Sequence, residues 1–402
     1  MKRFLLVTAG IALTAGILIP TTSQADTLVV PQAPWPVCSS VQLTWCVSAV
    51  SIQAPGQTVQ NLTWVPSGTA APSMTTTATP TTPAITAEGS TEFSGFWSSS
   101  SWPDSGLGFG GLFVQAEAAN QFSNYMLFNV LPAIQDPTSA NVYVADAAGS
   151  EYPASLSPDD VITVSLETGN ADAGVSMAIG NNFSDSVGSD ANGTNLTFSA
   201  TPVPVAIASS TSQCVGETGV AAAETTQLQV LVAPTNDPTS GFGVPGVSGK
   251  MYVESNGACA LSSPVWNASS LTMQWTVGAP HFLPDGATIN QGYYQAMIPG
   301  ADATLLWGLT NINQAASALT VSETSPGQAS NTVAISSVSV KNGNIIISST
   351  GFDFSSPTFK VARNPKYNFH TVKKRTILCV RGKSRRRITA VHPTCPRGYR
   401  IK

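Results

Sequence analysis

The sequence predicts an all-β protein, an antiparallel β-sandwich body followed by a small, disulfide-closed C-terminal β-hairpin. Three observations carry that reading. Only 10% of the 402 residues are charged, and the helix-favouring Glu, Lys and Arg are thinly spread through a chain rich in Ser, Thr, Ala, Gly and Val. Short runs of β-branched and aromatic residues recur between Gly, Pro, Asn and Asp, the punctuation of strands and turns. Six cysteines fall in three sequence-local groups, as in a stapled extracellular fold.

Residues 1–25 read as a secretory signal. Lys2 and Arg3 precede an apolar run from Phe4 to Ile19, and Ser23-Gln24-Ala25 places small residues where a signal peptidase reads. The run is short for a spanning helix, and no later stretch approaches the ~18 apolar residues one needs, so no transmembrane segment is expected in the mature chain. Export favours disulfides over metal ligation. Local pairing of Cys38 with Cys46, Cys214 with Cys259 and Cys379 with Cys395 is the most economical of the possible connectivities. There is no C-x-x-C, and His281, His370 and His392 are scattered, so neither a metal site nor a cofactor is expected.

Residues 26–65 read as a small N-terminal strand pair closed by Cys38 and Cys46. Residues 66–90 hold a Thr/Pro/Ala tract that serves either as a stiff linker or as a long loop or edge strand of the next domain. Residues 91–284 form one large β-sandwich domain carrying Cys214 and Cys259, with strands such as Val161–Gly169, Gln227–Pro234 and Leu271–Pro280. Residues 285–361 are either further strands of that domain or a second small β domain. They contain the one helical candidate, within Gln291–Leu309, and the clearest hairpin. There Val338 and Val340 alternate with serines, Asn342-Gly343 supplies the turn, and Ile345 and Ile347 resume the alternation. Residues 362–402 form the basic C-terminal hairpin module.

Charge is divided as sharply as composition. From Lys360 onward the chain holds 14 of its 18 Lys and Arg residues and no Asp or Glu. Between residues 26 and 359 all 22 acidic residues face only two cations, Lys250 and Lys341, a formal charge of −20. Such a split concerns partners more than fold. Strands on either side of Gly382-Lys383-Ser384, stapled by Cys379 and Cys395, would present Lys373, Lys374, Arg375, Arg381, Lys383, Arg385, Arg386, Arg387, Arg397 and Arg400. Alternation along the strands prevents Arg385, Arg386 and Arg387 from all facing inward. An anionic cell-wall polymer or lipid surface is the expected partner. Nucleic acid is not, for an exported chain. The simpler alternatives are a solubilising terminus or a clamp on the acidic body.

Catalytic signals in the body are sparse. Asp104-Ser105-Gly106 resembles half of a paired-aspartate site but has no second triplet, and a turn explains it. No G-x-S-x-G occurs, and a Ser-His-Asp triad would depend on His281, the only histidine of the body. Gly106–Gly111 lacks the lysine and helix of a phosphate loop. Asp190, Asn192 and Asn195 make half of a calcium loop without its closing acidic residue. Trp97 and Trp102 offer either a sugar-stacking face or ordinary core aromatics.

Between Phe113 and Ser184, Gln115 lies on a strand, Tyr125–Pro132 comes next, then Asp159-Asp160-Val161-Ile162. This order resembles the eqolisin, or glutamic-peptidase, family of secreted sandwiches, which implies a jelly-roll or lectin-like body. The resemblance places Gln115 where water would be polarised or an oxyanion held, and puts the catalytic glutamate position on Leu228, so the acid/base carboxylate is missing. The C-terminal module, with Cys379, Val380, Gly382, Lys383, Pro393, Cys395, Pro396, Gly398, Tyr399 and Lys402, resembles a short module of secreted actinobacterial surface proteins of unassigned function. The stretch Ala279–Gly300 resembles a segment of proteins of the same kind. The combined expectation is a secreted, non-enzymatic, cell-surface protein. An eqolisin-like acid peptidase or its inactive relative, and a glycan-binding module, are the alternatives.

Overall fold

A computed structural model describes residues 30–31, 34–66, 95–100, 111–119, 125–135, 142–144, 156–234, 242–324, 335–354, 357–367, 375–390, 393–396 and 398–402. The expected signal segment, most of the Thr/Pro/Ala tract, Asp104-Ser105-Gly106 and Trp102 lie outside them.

The described chain is all-β, arranged in sheets of five, twelve, five and three strands. The first sheet contains Cys46–Gln53, Gln60–Asn61, Val161–Gly169, Asn181–Asp190 and Gly193–Thr201. Its strands show why the sequence folds this way. Val161–Gly169 alternates, with Ile162, Val164 and Leu166 fully buried. Its other face carries Thr163 and Ser165, whose hydroxyls pair with Ser199 at 2.7 Å and Thr197 at 2.9 Å on the neighbouring strand.

The central twelve-stranded sheet is a wall shared by two cores. Ala173–Ile179 is buried at all seven positions, and Ala223–Pro234 is buried over its last five. From these strands Ala173, Ala178, Leu228, Val230 and Val232 enter a first core with Trp35, Phe128, Phe183 and Phe198. Val175, Met177, Leu231 and Ala233 point the other way, into a second core with Trp275, Tyr294, Trp307, Phe352 and Phe359. The first sheet closes the first core. The third sheet, with Thr272–Gly278, Leu319–Thr324 and Thr358–Arg363, closes the second. A near-continuous apolar run is what a strand covered on both faces requires. Ala173–Ile179 also makes a parallel pair, with Met251–Ser255, inside an otherwise antiparallel sheet.

Pairing runs across the expected divisions of the chain. Thr63–Val65, Ala223–Pro234 and Gln291–Pro299, one strand from each of the three expected body regions, lie in this one sheet. Cys46–Gln53 pairs with Val161–Gly169, and Thr358–Arg363 passes the expected boundary at 361. The helical candidate resolves into strand Gln291–Pro299 followed by helix Gly300–Trp307, whose Leu306 and Trp307 plug the second core. The hairpin turn falls at Asn342 and Gly343, with φ of 52° and 76° between paired strands Ile335–Lys341 and Asn344–Asp353.

All three local cysteine pairs are bridged: Cys38–Cys46, Cys214–Cys259 and Cys379–Cys395. The first closes a small loop on which Val41 is 92% exposed. Among the described residues no helix is long and apolar enough to cross a membrane.

Candidate functional site

The cationic module begins after Tyr367. Lys360 and Arg363 belong to the body, in the third sheet, where Arg363 Nε donates to the Trp307 carbonyl at 2.7 Å. The module is a three-stranded antiparallel sheet with Arg375–Arg381 in the middle, Ser384–Ala390 on one side and Arg400–Ile401 on the other. The hairpin turn opens on Gly382, whose φ of 57° suits the first position of a two-residue turn. Cys379, the one fully buried residue among the module's described positions, is bridged to Cys395. A sheet this small buries too little apolar surface to hold itself, and the staple substitutes for a core.

Register assigns the cations to two faces. Val380 lies opposite Arg385 on one side and Arg400 on the other, and Leu378 lies opposite Arg387. The Lys402 amide donates to the Leu378 carbonyl at 2.8 Å, which sets Lys402 beside Leu378. This face therefore has two rows, Arg385–Val380–Arg400 and Arg387–Leu378–Lys402. The four cations are exposed, and the apolar pair between them is half-buried. The Thr376 and Thr389 hydroxyls, 2.7 Å apart, close the end of the strip. The opposite face holds Cys379, Arg381, Arg386 and Ile401. There the Arg386 guanidinium sits 5.4 Å from the centre of the Tyr399 ring, and Tyr399 Oη is 3.0 Å from Ser384 Oγ. That hydrogen bond, helped by Arg386 and Arg381, lowers the Tyr399 phenol below its usual value.

Of the residues expected to meet an anionic surface, the structure gathers Arg381, Lys383, Arg385, Arg386, Arg387 and Arg400 on this sheet. Arg375 contributes its backbone to the middle strand, and Lys373, Lys374 and Arg397 lie outside the described residues. In the body, Lys250 Nζ pairs with the Asp172 carboxylate at 3.0 Å.

The body's candidates separate. Gln115 lies on Gly111–Ala118, opposite Asn129, which in turn lies opposite Gln229. Gln229 Nε2 donates to Asn129 Oδ1 at 2.6 Å. Glu117, two residues along the same face, has its carboxyl raised by burial and partly offset by a hydrogen bond with Gln115. Leu228 points into the first core, on the other side of the sheet from Gln115. Trp97 is 4% exposed in that core and offers no stacking face. Asp190 caps a β-turn by accepting the Asn192 amide at 2.7 Å. His281 is buried, with Nδ1 3.0 Å from the Phe354 carbonyl. No group of three or more His, Cys, Asp or Glu able to hold a metal occurs among the described residues.

One cluster has no motif to announce it in the sequence. Glu254, 2% exposed, accepts the Phe183 amide at 2.7 Å and Gln295 Nε2 at 2.7 Å. Asp185 accepts from Ser176 Oγ at 2.7 Å. These two carboxylates tie the edge strand of the first sheet to the central wall. Burial pushes Glu254 up to about 7 and raises Asp185 as well. A lone carboxylate in the apolar strand Met251–Ser255 is the one signal that marks it in the sequence.

Comparison with known proteins yields no match to a family model, a curated sequence or a solved structure.

Proposed function

We propose that this is an exported, non-enzymatic surface protein, retained by electrostatic docking of its C-terminal sheet on an anionic wall polymer. The observation that carries the reading is the exposed cation framework Arg385, Arg387, Arg400 and Lys402 on a stapled module without a carboxylate side chain. Clustered cations of one sign raise association rates and affinity for polyanions in a salt-dependent way. The three disulfides and the signal-like N-terminus are compatible with life outside the cell. The body serves as the displayed unit.

The test is co-sedimentation of the full chain with purified Gram-positive cell walls across a salt series, beside the variant Arg385→Gln/Arg387→Gln/Arg400→Gln. The expected outcome is pelleting of the parent at low salt, release as salt rises, and failure of the variant to pellet. Equal behaviour of the two, or salt-independent pelleting, rejects the reading.

A further inference from the structure

The arrangement of the cations narrows the partner, on the premise of wall docking above. We propose that the Leu378–Val380 face takes a linear phosphodiester polymer, lying along the middle strand between two columns of positive charge. One column is Arg385 and Arg387, the other Arg400 and Lys402, with Leu378 and Val380 as the floor between them. Neighbouring cations of a column are two residues apart, about 7 Å, and the columns are two strand spacings apart, about 10 Å. A trough with charge on both banks and carbon on its floor fits a chain that alternates anionic groups with hydrocarbon links.

Two features set this apart from a flat anionic membrane. Lipid binding by a small sheet draws on an exposed apolar wedge beside the cations. The module's exposed large apolar residue, Ile401, is paired with Cys379 and so lies on the opposite face. The trough's own apolar residues are half-buried below the arginines. Three of the four trough cations are arginine, whose planar fork engages two oxygens of one phosphate at once. Carboxylate oxygens match the same fork, so acid separates the two: a phosphodiester stays ionised at pH 4, whereas a polycarboxylate loses much of its charge near that value.

The experiment measures affinity of the full-length protein for poly(glycerol phosphate), for poly-α-glutamate of matched length, whose free groups are the side-chain carboxyls, and for phosphatidylglycerol/phosphatidylcholine vesicles, at pH 7 and pH 4. It is repeated on cell walls before and after hydrofluoric acid removes their phosphodiester polymers. Poly(glycerol phosphate) is expected to bind best and to keep its affinity at pH 4. Arg385→Gln/Arg387→Gln/Arg400→Gln should weaken it about 30-fold or more and flatten the salt slope by about two. Arg381→Gln/Arg386→Gln, on the opposite face, should weaken it about threefold at most. The triple Arg→Lys variant keeps the charge and the sheet but loses the fork, and should fall between parent and Gln variant. Untreated walls that bind and stripped walls that bind equally well would leave surface retention standing and overturn the phosphodiester assignment. Equal or better binding of polyglutamate or vesicles would overturn it too. Walls that fail to bind at all, with poly(glycerol phosphate) bound, would instead overturn the wall-docking premise.

Discussion

The strand Ala173–Ile179 and the strand Ser384–Ala390 are both seven residues long, and they are held by opposite means. The first is buried at every position and feeds two cores at once. The second is exposed over most of its length and belongs to a sheet whose one fully buried described residue is a disulfide cysteine. Apolar burial is worth about 1.5 to 3 kcal/mol for each large side chain removed from water, so the wall is held chiefly by what it buries. The module relies on a covalent closure and leaves its surface free for charge. The stable part of the chain and the part proposed to bind are thus built from different interactions, and they should fail independently.

Truncation in the wall is the strongest way to break that contrast. Phe128→Ala in the first core and Phe359→Ala in the second should each cost about 3 to 5 kcal/mol. Because two strands serve both cores, each variant should lower one common thermal transition, seen by calorimetry, rather than split it in two. Separate melting of the two cores would refute a shared wall. Replacing Cys379 and Cys395 by Ser should cost the module about 3 kcal/mol by the chain-entropy account of a loop this size. Limited proteolysis should then remove the C-terminal sheet while the body transition stays in place.

Acidity sharpens the comparison within the body. Glu254 sits at about 7 when folded, above its ordinary 4.5, because burial penalises its charge. A carboxyl raised on folding contributes stability that is present below about 4.5 and is lost as pH climbs through 7. Denaturant midpoints should therefore fall by the equivalent of about 2 to 3 kcal/mol over that window. Glu254→Gln should remove this share of the slope and leave the share of Glu323, whose carboxyl burial also raises to about 7. A parent curve without slope between those values would remove Glu254 as a buried titrating group. The smallest effect is expected at the hairpin turn. Gly343→Ala places a side chain at φ 76° with no contact to relieve, and should cost about 1 kcal/mol.

What the sequence made legible was what is local. The Asn342-Gly343 hairpin, the alternation of Val161–Gly169 and the disulfides Cys38–Cys46 and Cys379–Cys395 each depend on residues near one another in the chain. The shared wall was not legible, because Gln229 meets Asn129 and Val253 meets Met177 through pairings that no local pattern specifies. The unbroken burial of Ala173–Ile179 hides the alternation that would have assigned its faces. In the module, the charge and the staple were evident. The two-column trough needed the third strand, which sets Arg400 beside Val380 and is only two residues long. The Glu254–Asp185 ties were invisible because their partners come from separate sheets.

A wall with two cores also dictates a timetable. Cys46–Gln53 waits for Val161–Gly169 before it has its longer neighbour, and the second core waits for Thr358–Arg363. Neither half can finish early, since Ala223–Pro234 stays bare on one face until the other half arrives. Folds governed by such distant contacts assemble slowly and expose adhesive strand edges meanwhile. A chain threaded outward one end first would have to be kept extended, or shielded by a holding factor, until nearly all of its body had emerged.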